Sequence, residues 1–194
     1  MPGLQEAGGA TLSGRPAVRS RWQAIVCVWL LGAAADWAVK QCVVAFDATQ
    51  PSGWSLRYLG GLLTIRLLRN PGAAFSMGEA YTPFFAVLAI AALVGVLGWL
   101  APRVRHAGWA WATGLLLAGI SGNLFDRLFR EPGPFYGHVV DMFELPHFAV
   151  FNVADMCITA AAVLIVWLTA VAKVSPSGAR EGKEPPGAGD VADS

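Results

Sequence analysis

The sequence predicts an all-α membrane protein with four transmembrane helices and a small extracytoplasmic sheet. Of its 194 residues, 55% are hydrophobic and only 14% are charged, whereas soluble domains carry about 25% charged residues. Residues 80–102 and 107–125 contain no Asp, Glu, Lys or Arg, and each run can cross about 30 Å of hydrocarbon as a helix. This composition excludes a cytosolic enzyme and a disordered protein, and three cysteines are too few for a disulfide-stapled scaffold.

Two further apolar stretches carry charges inside them and complete the four helices. The first stretch contains Asp36 and Lys40, and the last contains only Asp155. The predicted spans cover about residues 22–46, 81–101, 107–125 and 148–172. The alternative for the first stretch is a cleaved signal peptide, because arginines precede it and small residues end it. An uncleaved helix is favoured, since it gives an even number of spans with both termini on one side.

The basic residues predict how the helices are oriented in the membrane. They lie before the first span, between the second and third, and after the fourth: Arg15, Arg19, Arg21, Arg103, Arg105 and Lys173. Basic loops of this kind stay on the cytoplasmic side. We therefore expect a cytoplasmic tail at residues 1–21, a membrane domain at 22–172 and a cytoplasmic tail at 173–194. The second tail is rich in Pro, Gly and charge, which predicts disorder.

The loop between the first two spans, residues 47–79, is predicted to form the small sheet. Residues 62–68 are apolar and partly β-branched. They follow a glycine pair at 60–61 and end at the Asn-Pro-Gly sequence at 70–72. A short strand bounded by turns fits this pattern. We expect the strand to belong to a sheet that covers a site at the membrane surface.

Charged side chains inside spans are costly, so each is a candidate functional residue. Asp36 and Lys40 are spaced i, i+4 on one helix face, which predicts a mutual ion pair. Asp155 is eight residues into the last span with no basic residue within a turn, and Asn152 lies on the same face. A purely structural polar contact between helices is the alternative for Asn152 and Asp155.

Asp141 and Asp155 form the most economical catalytic pair. Asp141 lies just outside the last span and Asp155 just inside it, so the carboxylates can converge across the loop. Aspartic protease chemistry requires such a pair: the ionised member takes a proton from water while the protonated one polarises the carbonyl. We expect Asp155 to hold the shared proton, since it lies further into the hydrocarbon, although the pair titrates as one unit.

Two functions of other classes stay open from the residues alone. A carrier or channel would use Asp36, Lys40 and Asp155 as an ion or proton relay, although no internal repeat supports it. A binder of nucleic acid is not expected, because a net charge of +1 provides no basic face.

The other open function is a metal-dependent membrane hydrolase. Its ligands would recur every three residues before the last span: His138, Asp141, Glu144 and His147. These are ligand types that zinc prefers, and a helix would place them on one side. Pro146 would break that helix, which argues against the metal site.

Five sequence blocks, in this order, resemble a known family. They are DWAVK at 36–40, NPGAAFS at 70–76, GNLFDR at 122–127, VVD at 139–141 and FNVAD at 151–155. The blocks and their placement relative to four spans are similar to those of the bacterial lipoprotein signal peptidases (signal peptidase II), a family of four-span intramembrane aspartyl proteases.

The resemblance implies an enzyme that removes the signal peptide from a diacylglyceryl-modified prolipoprotein, cutting immediately before the lipidated Cys. Position by position, it implies catalytic roles for Asp141 and Asp155. The implied substrate-binding residues are Asn70, Gly72, Asn123, Arg127 and Asn152. The implied supporting residues are Asp36, Lys40, Ala74 and Asp126. Residues 62–70 resemble the family's outer-surface β-cradle.

The resemblance also implies where the enzyme works. It implies a monomer in the bacterial cytoplasmic (inner) membrane, with both termini cytoplasmic and the active site near the outer surface. The implied partners are prolipoprotein substrates and membrane lipid. No metal ion and no cofactor are implied.

Overall fold

Four long helices and a three-stranded antiparallel sheet make up the part of the chain that the computed structural model describes, residues 21–72 and 81–179. The helices are α1 (Trp22–Asp47), α2 (Thr82–Gly95), α3 (Ala107–Phe129) and α4 (Val153–Val166). The strands are β1 (Leu56–Tyr58), β2 (Leu63–Asn70) and β3 (Val139–Glu144). Helices α2 and α4 continue as wider π-type turns over Val96–Leu100 and Trp167–Val171. Ala74 and most of both predicted tails lie outside the described residues.

Three helical segments within the described ranges are long and apolar enough to cross a membrane. They are Trp22–Asp47, Thr82–Arg103 and Val153–Val171, which agree with three of the four predicted spans. The fourth predicted span forms α3, whose 23 residues give it a similar length. It is less apolar because it is the central helix, in contact with the other three. Eleven of its residues are buried, and small ones such as Gly114, Ala118 and Gly119 replace large apolar side chains there.

The helices alternate in direction. The start of α1, the end of α2, the start of α3 and the end of α4 therefore lie at the same end of the bundle. Arg21 Nε donates to the Arg105 carbonyl oxygen at 3.1 Å. Trp109 Nε1 on α3 donates to the Val174 carbonyl oxygen at 2.8 Å. All the predicted cytoplasmic basic residues that the structure describes lie at this end, and the sheet lies at the other.

The predicted disorder from residue 173 onward is wrong for residues 173–179. The backbone N–H of Arg105 donates to the Pro176 carbonyl oxygen at 2.8 Å, and that of Ser175 donates to the Ala179 carbonyl oxygen at 2.9 Å. Pro and Gly are turn residues as well as signals of disorder. Here they form a turn that satisfies the backbone of the loop between α2 and α3.

The sheet has the strand order β1-β2-β3, and only its first two strands come from the predicted loop. Strand β2 runs two residues past the predicted end at Leu68 and stops at Asn70, because Pro71 has no N–H for the ladder and Gly72 adopts a φ of 113°. The third strand, Val139–Glu144, was not predicted. Its first four residues are all buried, so it lacks the alternation that marks a half-exposed strand.

The close approach of α1 and α3 depends on Gly114. A Cβ atom at this position would lie 2.7 Å from Val28 Cβ and 2.9 Å from the Ile25 carbonyl oxygen. Because the second contact is with backbone, a side-chain movement cannot relieve it. A Cβ at Gly95, by contrast, meets nothing within 4 Å.

We expect Gly114→Ala to destabilise the protein by about 1–3 kcal/mol, the usual range for overpacking. Gly95→Ala is the matched control, and it should be neutral or slightly stabilising, because Ala is the better helix former. The unfolding midpoint of each variant in detergent measures the effect. Equal midpoints for the two variants would contradict the inference that the packing of α1 against α3 requires a glycine at position 114.

Candidate active site

A short hairpin brings Asp141 and Asp155 together. Asp141 lies in β3 opposite Leu68 of β2. Beyond β3 the chain turns back, and Phe143 and Phe151 exchange two backbone hydrogen bonds of 2.9 Å. This bridge sets the start of α4 beside Asp141. One backbone pairing therefore brings together two acids that are fourteen residues apart in the sequence.

The start of α4 is fixed by a capping box. Asn152 is the N-cap, and its Oδ1 accepts from the backbone N–H of Asp155 at 3.0 Å. In return, Asp155 Oδ2 accepts from the backbone N–H of Asn152 at 3.2 Å. Reciprocal bonds of this kind satisfy two helix-end donors and hold both side chains in place.

The predicted depth of Asp155 is wrong. It is the third residue of α4, which begins at Val153, and not the eighth residue of a longer helix. The apolar residues 148–151 belong to the hairpin and the bridge, so the hydropathy of the sequence placed the helix start too early. Asp141 is the more buried acid, with 2% of its surface exposed, and Asp155 is partly exposed.

Asparagine amides connect the two carboxylates. Asn152 Nδ2 donates to Asp141 Oδ1 at 2.6 Å and also to Asn123 Oδ1 at 3.1 Å. Asn123 Nδ2 donates to Asp155 Oδ1 at 2.8 Å. The structure therefore places both amides between the two acids, where they fix the carboxylate orientations.

Asn70 holds Asp141 from the other side. Its Nδ2 donates to Asp141 Oδ2 at 2.9 Å, while its Oδ1 accepts from the backbone N–H of Gly72 at 2.9 Å. The Gly72 bond orients the amide, because only the oxygen can accept it. The turn that ends β2 thus aims the Asn70 donor at the acid in β3.

Burial raises the pKa of Asp141 to about 6. Removing a carboxylate from water disfavours its charged form, and this is the largest effect. The hydrogen bond from Asn70 lowers the pKa, the negative charge of Asp155 raises it, and the bond from Asn152 lowers it. The Asp141 carboxyl group therefore keeps its proton up to a pH well above the usual pKa of Asp.

The predicted pair of Asp36 and Lys40 is present and belongs to a larger buried cluster. Lys40 Nζ lies 2.7 Å from Asp36 Oδ2 and 2.7 Å from Asp126 Oδ2. It also donates to Asn123 Oδ1 at 3.2 Å. An ammonium group has three N–H donors, so these three acceptors satisfy it completely.

The two acids of this cluster hydrogen-bond to the backbone beside Asp141 and Asp155. Asp36 Oδ1 accepts from the N–H of Ala154 at 2.8 Å. Asp126 Oδ2 accepts from the N–H of Val140 at 3.1 Å. Ala154 and Val140 are the chain neighbours of Asp155 and Asp141, respectively. The cluster of Asp36, Lys40 and Asp126 therefore positions both acids through their own backbone.

Arg130 completes the charge balance and was not predicted. Its Nε lies 2.5 Å from Asp126 Oδ1, which makes the cluster two carboxylates and two cations. The spacing from Asp126 is i, i+4, which is a recognised signal for an ion pair on a helix. The sequence therefore contained the information, although Arg130 is not in any of the five blocks.

Arg127 lies beside the acid pair on α3. Its guanidinium carbon is 5.9 Å from the centroid of the Phe85 ring, and Nη1 donates weakly to the Asn123 carbonyl oxygen at 3.4 Å. Its Nε is buried and has no hydrogen-bond partner among the described residues.

A cleft of about 630 Å³ opens over Asp141 and Asp155 and continues along α4. Its polar floor consists of Asn70, Asp141 and Asp155. The remaining walls are largely apolar and come from the hairpin and the first two turns of α4: Leu145, Phe148, Ala149, Val150, Phe151, Met156, Thr159 and Ala160. We call this the catalytic cleft.

The metal-ligand hypothesis required a helix that does not form. Residues 139–144 of the segment form strand β3, in which residues three apart, here Asp141 and Glu144, point to opposite faces. His138 and His147 lie outside the strand. Glu144 is engaged by Arg66, whose Nε lies 2.7 Å from its Oε2. Among residues 21–72 and 81–179, no group of three or more His, Cys, Asp or Glu side chains is placed to hold a metal ion.

The fold and the site together define a small membrane protein with a paired-carboxylate centre at one end of a helical bundle. A family model described as signal peptidase (SPase) II matches residues 28–171. The chain therefore belongs to the signal peptidase II family, which confirms the resemblance of the five blocks.

Individual relatives agree with the family assignment. The chain is 39% identical to the lipoprotein signal peptidase of Mycobacterium tuberculosis (strain ATCC 25618 / H37Rv), over 85% of this chain and 80% of that protein. It is 48% identical to the lipoprotein signal peptidase of Streptomyces coelicolor, over 59% of this chain and 55% of that one. A solved bacterial membrane enzyme matches its fold with a TM-score of 0.63 and 25% identity, covering 74% of this chain and 90% of that one.

The buried ion cluster generates a stability prediction. Lys40→Met leaves the buried Asp36 without its cation and leaves Asp126 with Arg130 alone, and breaking a buried pair costs about 3–5 kcal/mol. Arg66→Met is the matched control, because it removes an ion pair in which both side chains are more than one-third exposed and so costs less than about 1 kcal/mol. Unfolding midpoints in detergent compare the two. A smaller loss for Lys40→Met than for Arg66→Met would contradict the role of the cluster.

Proposed function

We propose that this chain is an intramembrane aspartyl endopeptidase. In this proposal it removes the signal peptide from diacylglyceryl-modified prolipoproteins and cuts immediately before the lipidated Cys. Membership of the signal peptidase II family supports the reaction and the substrate class. The observation that carries the aspartyl mechanism is the amide bridge, in which Asn152 and Asn123 connect the carboxylates of Asp141 and Asp155.

The two acids have different surroundings, which assigns different roles to them. Burial favours the protonated form of Asp141. Asp155 lies in the first turn of α4, where the helix dipole favours negative charge. Each acid accepts one N–H on each oxygen, so burial and the helix dipole are what distinguish them. We therefore assign the ionised role to Asp155 and the protonated role to Asp141, which reverses the assignment based on helix depth.

The proposed reaction starts with a water held between the acids. Asp155 takes a proton from this water, and the hydroxide oxygen attacks the carbonyl carbon of the scissile peptide. Asp141 donates its hydrogen bond to the carbonyl oxygen as negative charge develops there. When the tetrahedral intermediate collapses, the C–N bond breaks and Asp155 returns its proton to the leaving amine. The new carboxylate belongs to the signal peptide, and the new amine belongs to the lipidated Cys.

The catalytic cleft fits a substrate that is mainly apolar. Its wall along Met156, Thr159 and Ala160 follows one face of α4, so the signal segment and the acyl chains can enter sideways from the lipid. Arg127 is proposed to bind a substrate carbonyl or lipid oxygen with its unsatisfied donor. Gly72 supports the substrate site by orienting Asn70, and the proposed supporting role of Ala74 stays a prediction.

Placement in the membrane follows from the apolar helices and the basic end of the bundle. We propose that α3 is the fourth span, enclosed by the three apolar helices. The end that carries Arg21, Arg103, Arg105 and Lys173 is assigned to the cytoplasm by the positive-inside rule. The sheet and the acid pair then lie near the outer surface of the bacterial cytoplasmic membrane. The enzyme is proposed to act there as a monomer on prolipoproteins.

A carrier function is disfavoured by the same contacts. An ion or proton relay would need Asp36 and Lys40 to exchange partners. Instead, the two are 1% exposed and held in a cluster whose ammonium donors are all used. The family assignment favours the peptidase over this alternative.

Replacing either acid by its amide tests the mechanism. Asp141→Asn and Asp155→Asn should each lower kcat by about 10²–10⁴-fold, the usual contribution of general acid and base catalysis. The assay is cleavage of a diacylglyceryl-modified prolipoprotein by the purified protein in detergent. Glu131→Gln is the matched control, since Glu131 is exposed, and it should retain activity. Near-normal turnover of either Asp variant would refute the assignment.

The protonated role of Asp141 predicts a pH dependence. Its proton is lost as the pH rises through about 6, so kcat/KM should fall on the alkaline side. Asn70→Ala removes a donor that stabilises the charged form and lowers the pKa. The alkaline limb should therefore move to higher pH in this variant, whatever the loss of overall rate. A pH–rate profile of both proteins measures the limb, and a shift to lower pH would contradict the proposal.

A further inference from the structure

A second cleft, of about 700 Å³, meets the catalytic cleft at the hairpin between β3 and α4. Leu145 and Phe148 line both of them. The second cleft is polar, and its side chains come from all three strands and the neighbouring loops: Ser55, Arg57, Thr64, Arg66, Glu144 and His147. We call it the polar groove. The acid pair thus has an apolar cleft on one side of the hairpin and a polar one on the other.

The polarity difference follows from the register of the sheet. Leu56, Ile65 and Phe143 are paired in one row across the three strands, and Arg57, Thr64 and Glu144 are paired in the next. Side chains of adjacent rows point to opposite faces. Leu56 and Ile65 face the end of α1, where they line a cavity with Phe46 and Trp54. The polar row therefore forms the floor of the groove, on the face directed away from α1.

The groove carries one cation without an acidic partner. Arg66 is paired with Glu144 through two hydrogen bonds of 2.7 and 3.2 Å, so these two charges cancel. Arg57 is exposed and has no ion pair with any residue in the described ranges. The groove therefore has a net positive charge.

The tip of the hairpin is held in an uncommon backbone conformation. His147 has a φ of 60°, which is rare for a residue with a side chain. Strain of this kind concentrates at binding and catalytic sites. Here the strained residue directly precedes Phe148, which is 65% exposed and packs edge-on against Phe151. The tip thus presents an aromatic ring at the junction of the two clefts.

We propose that the polar groove binds the first residues of the mature polypeptide, those that directly follow the lipidated Cys, and that it favours acidic residues there. The inference rests on the proposed function, because it concerns the same substrate. Hydrolysis leaves the signal segment and the acyl chains on the apolar side. The mature chain is the polar part of the substrate, and the groove is the polar cleft that meets the catalytic cleft at Leu145 and Phe148.

The chemistry of the groove suits an extended peptide. Hydroxyl groups of Ser55 and Thr64 can bond its backbone, and Arg57 supplies the charge that selects its side chains. A volume near 700 Å³ lies within the range of specific ligand sites. Because a partly exposed charge pair contributes little, selectivity of about three- to fivefold for one acidic residue is expected.

A peptide series with charge-reversal variants tests this. Synthetic diacylglyceryl-modified prolipoprotein peptides carry Ser, Asp or Lys at the positions just after the lipidated Cys, and a fourth peptide ends at that Cys as an uncharged amide. Each is cleaved by wild type, Arg57→Glu and Arg69→Glu. Arg69 is the matched control, since it is an exposed arginine of the same sheet that does not line the groove.

The groove predicts a specific pattern of KM values. Wild type and Arg69→Glu should give the lowest KM with Asp and the highest with Lys, and Arg57→Glu should reverse that order. The peptide that ends at Cys should not respond to Arg57→Glu. Equal KM values for the three full peptides, or equal effects of the two variants, would refute binding of the mature chain in the polar groove. The proposed peptidase activity would be unaffected by that result. Failure of wild type to cleave any peptide would overturn the proposed function itself.

Discussion

The ammonium group of Lys40 is the interaction on which the rest of the site depends. It lies between Asp36 and Asp126 with 1% of the residue exposed. A buried charge is tolerated only where it is paired and hydrogen-bonded, so the three side chains fix the relative positions of α1 and α3. Asp126 Oδ2 and Asp36 Oδ1 also accept from the backbone of β3 and α4, respectively. Buried pairs of this kind add little net stability, and here the cluster serves positioning.

The proposed catalytic pair comes from two elements that are held in place in different ways. Asp141 is held in a strand whose flanking residues are buried, and Asp155 is held by the capping box at a helix start. Strands and helix ends are more rigid than loops, which suits a site that must hold two carboxylates and a water. The asparagines between them donate to both acids and so limit the freedom of either one. In the proposed mechanism, the different burial of these two chemically identical side chains gives them different roles.

The sequence predicted the local features of the site well. The i, i+4 spacing of Asp36 and Lys40, the turn residues that end β2 and the two aspartates are each readable within a few positions. Strand β3 was missed because residues 139–142 are buried on both faces and show no alternation. The start of α4 was placed early because the apolar residues 148–151 belong to a hairpin. Both errors arise because strand pairing is a tertiary contact that hydropathy does not reveal: β3 pairs with β2, and Phe143 pairs with Phe151. The capping-box spacing of Asn152 and Asp155 was the one local signal for the true start of α4.

The central claim is that Asp141 holds a proton beside an ionised Asp155. Infrared difference spectroscopy tests it directly, by titrating the purified wild-type protein and subtracting the spectra of Asp141→Asn. The account predicts a protonated carboxyl band at about pH 5 that disappears with a midpoint near 6 and is absent from the variant. A difference spectrum that shows only ionised carboxylate at about pH 5 would contradict it, since Asp141 would then have no proton to give to the carbonyl oxygen.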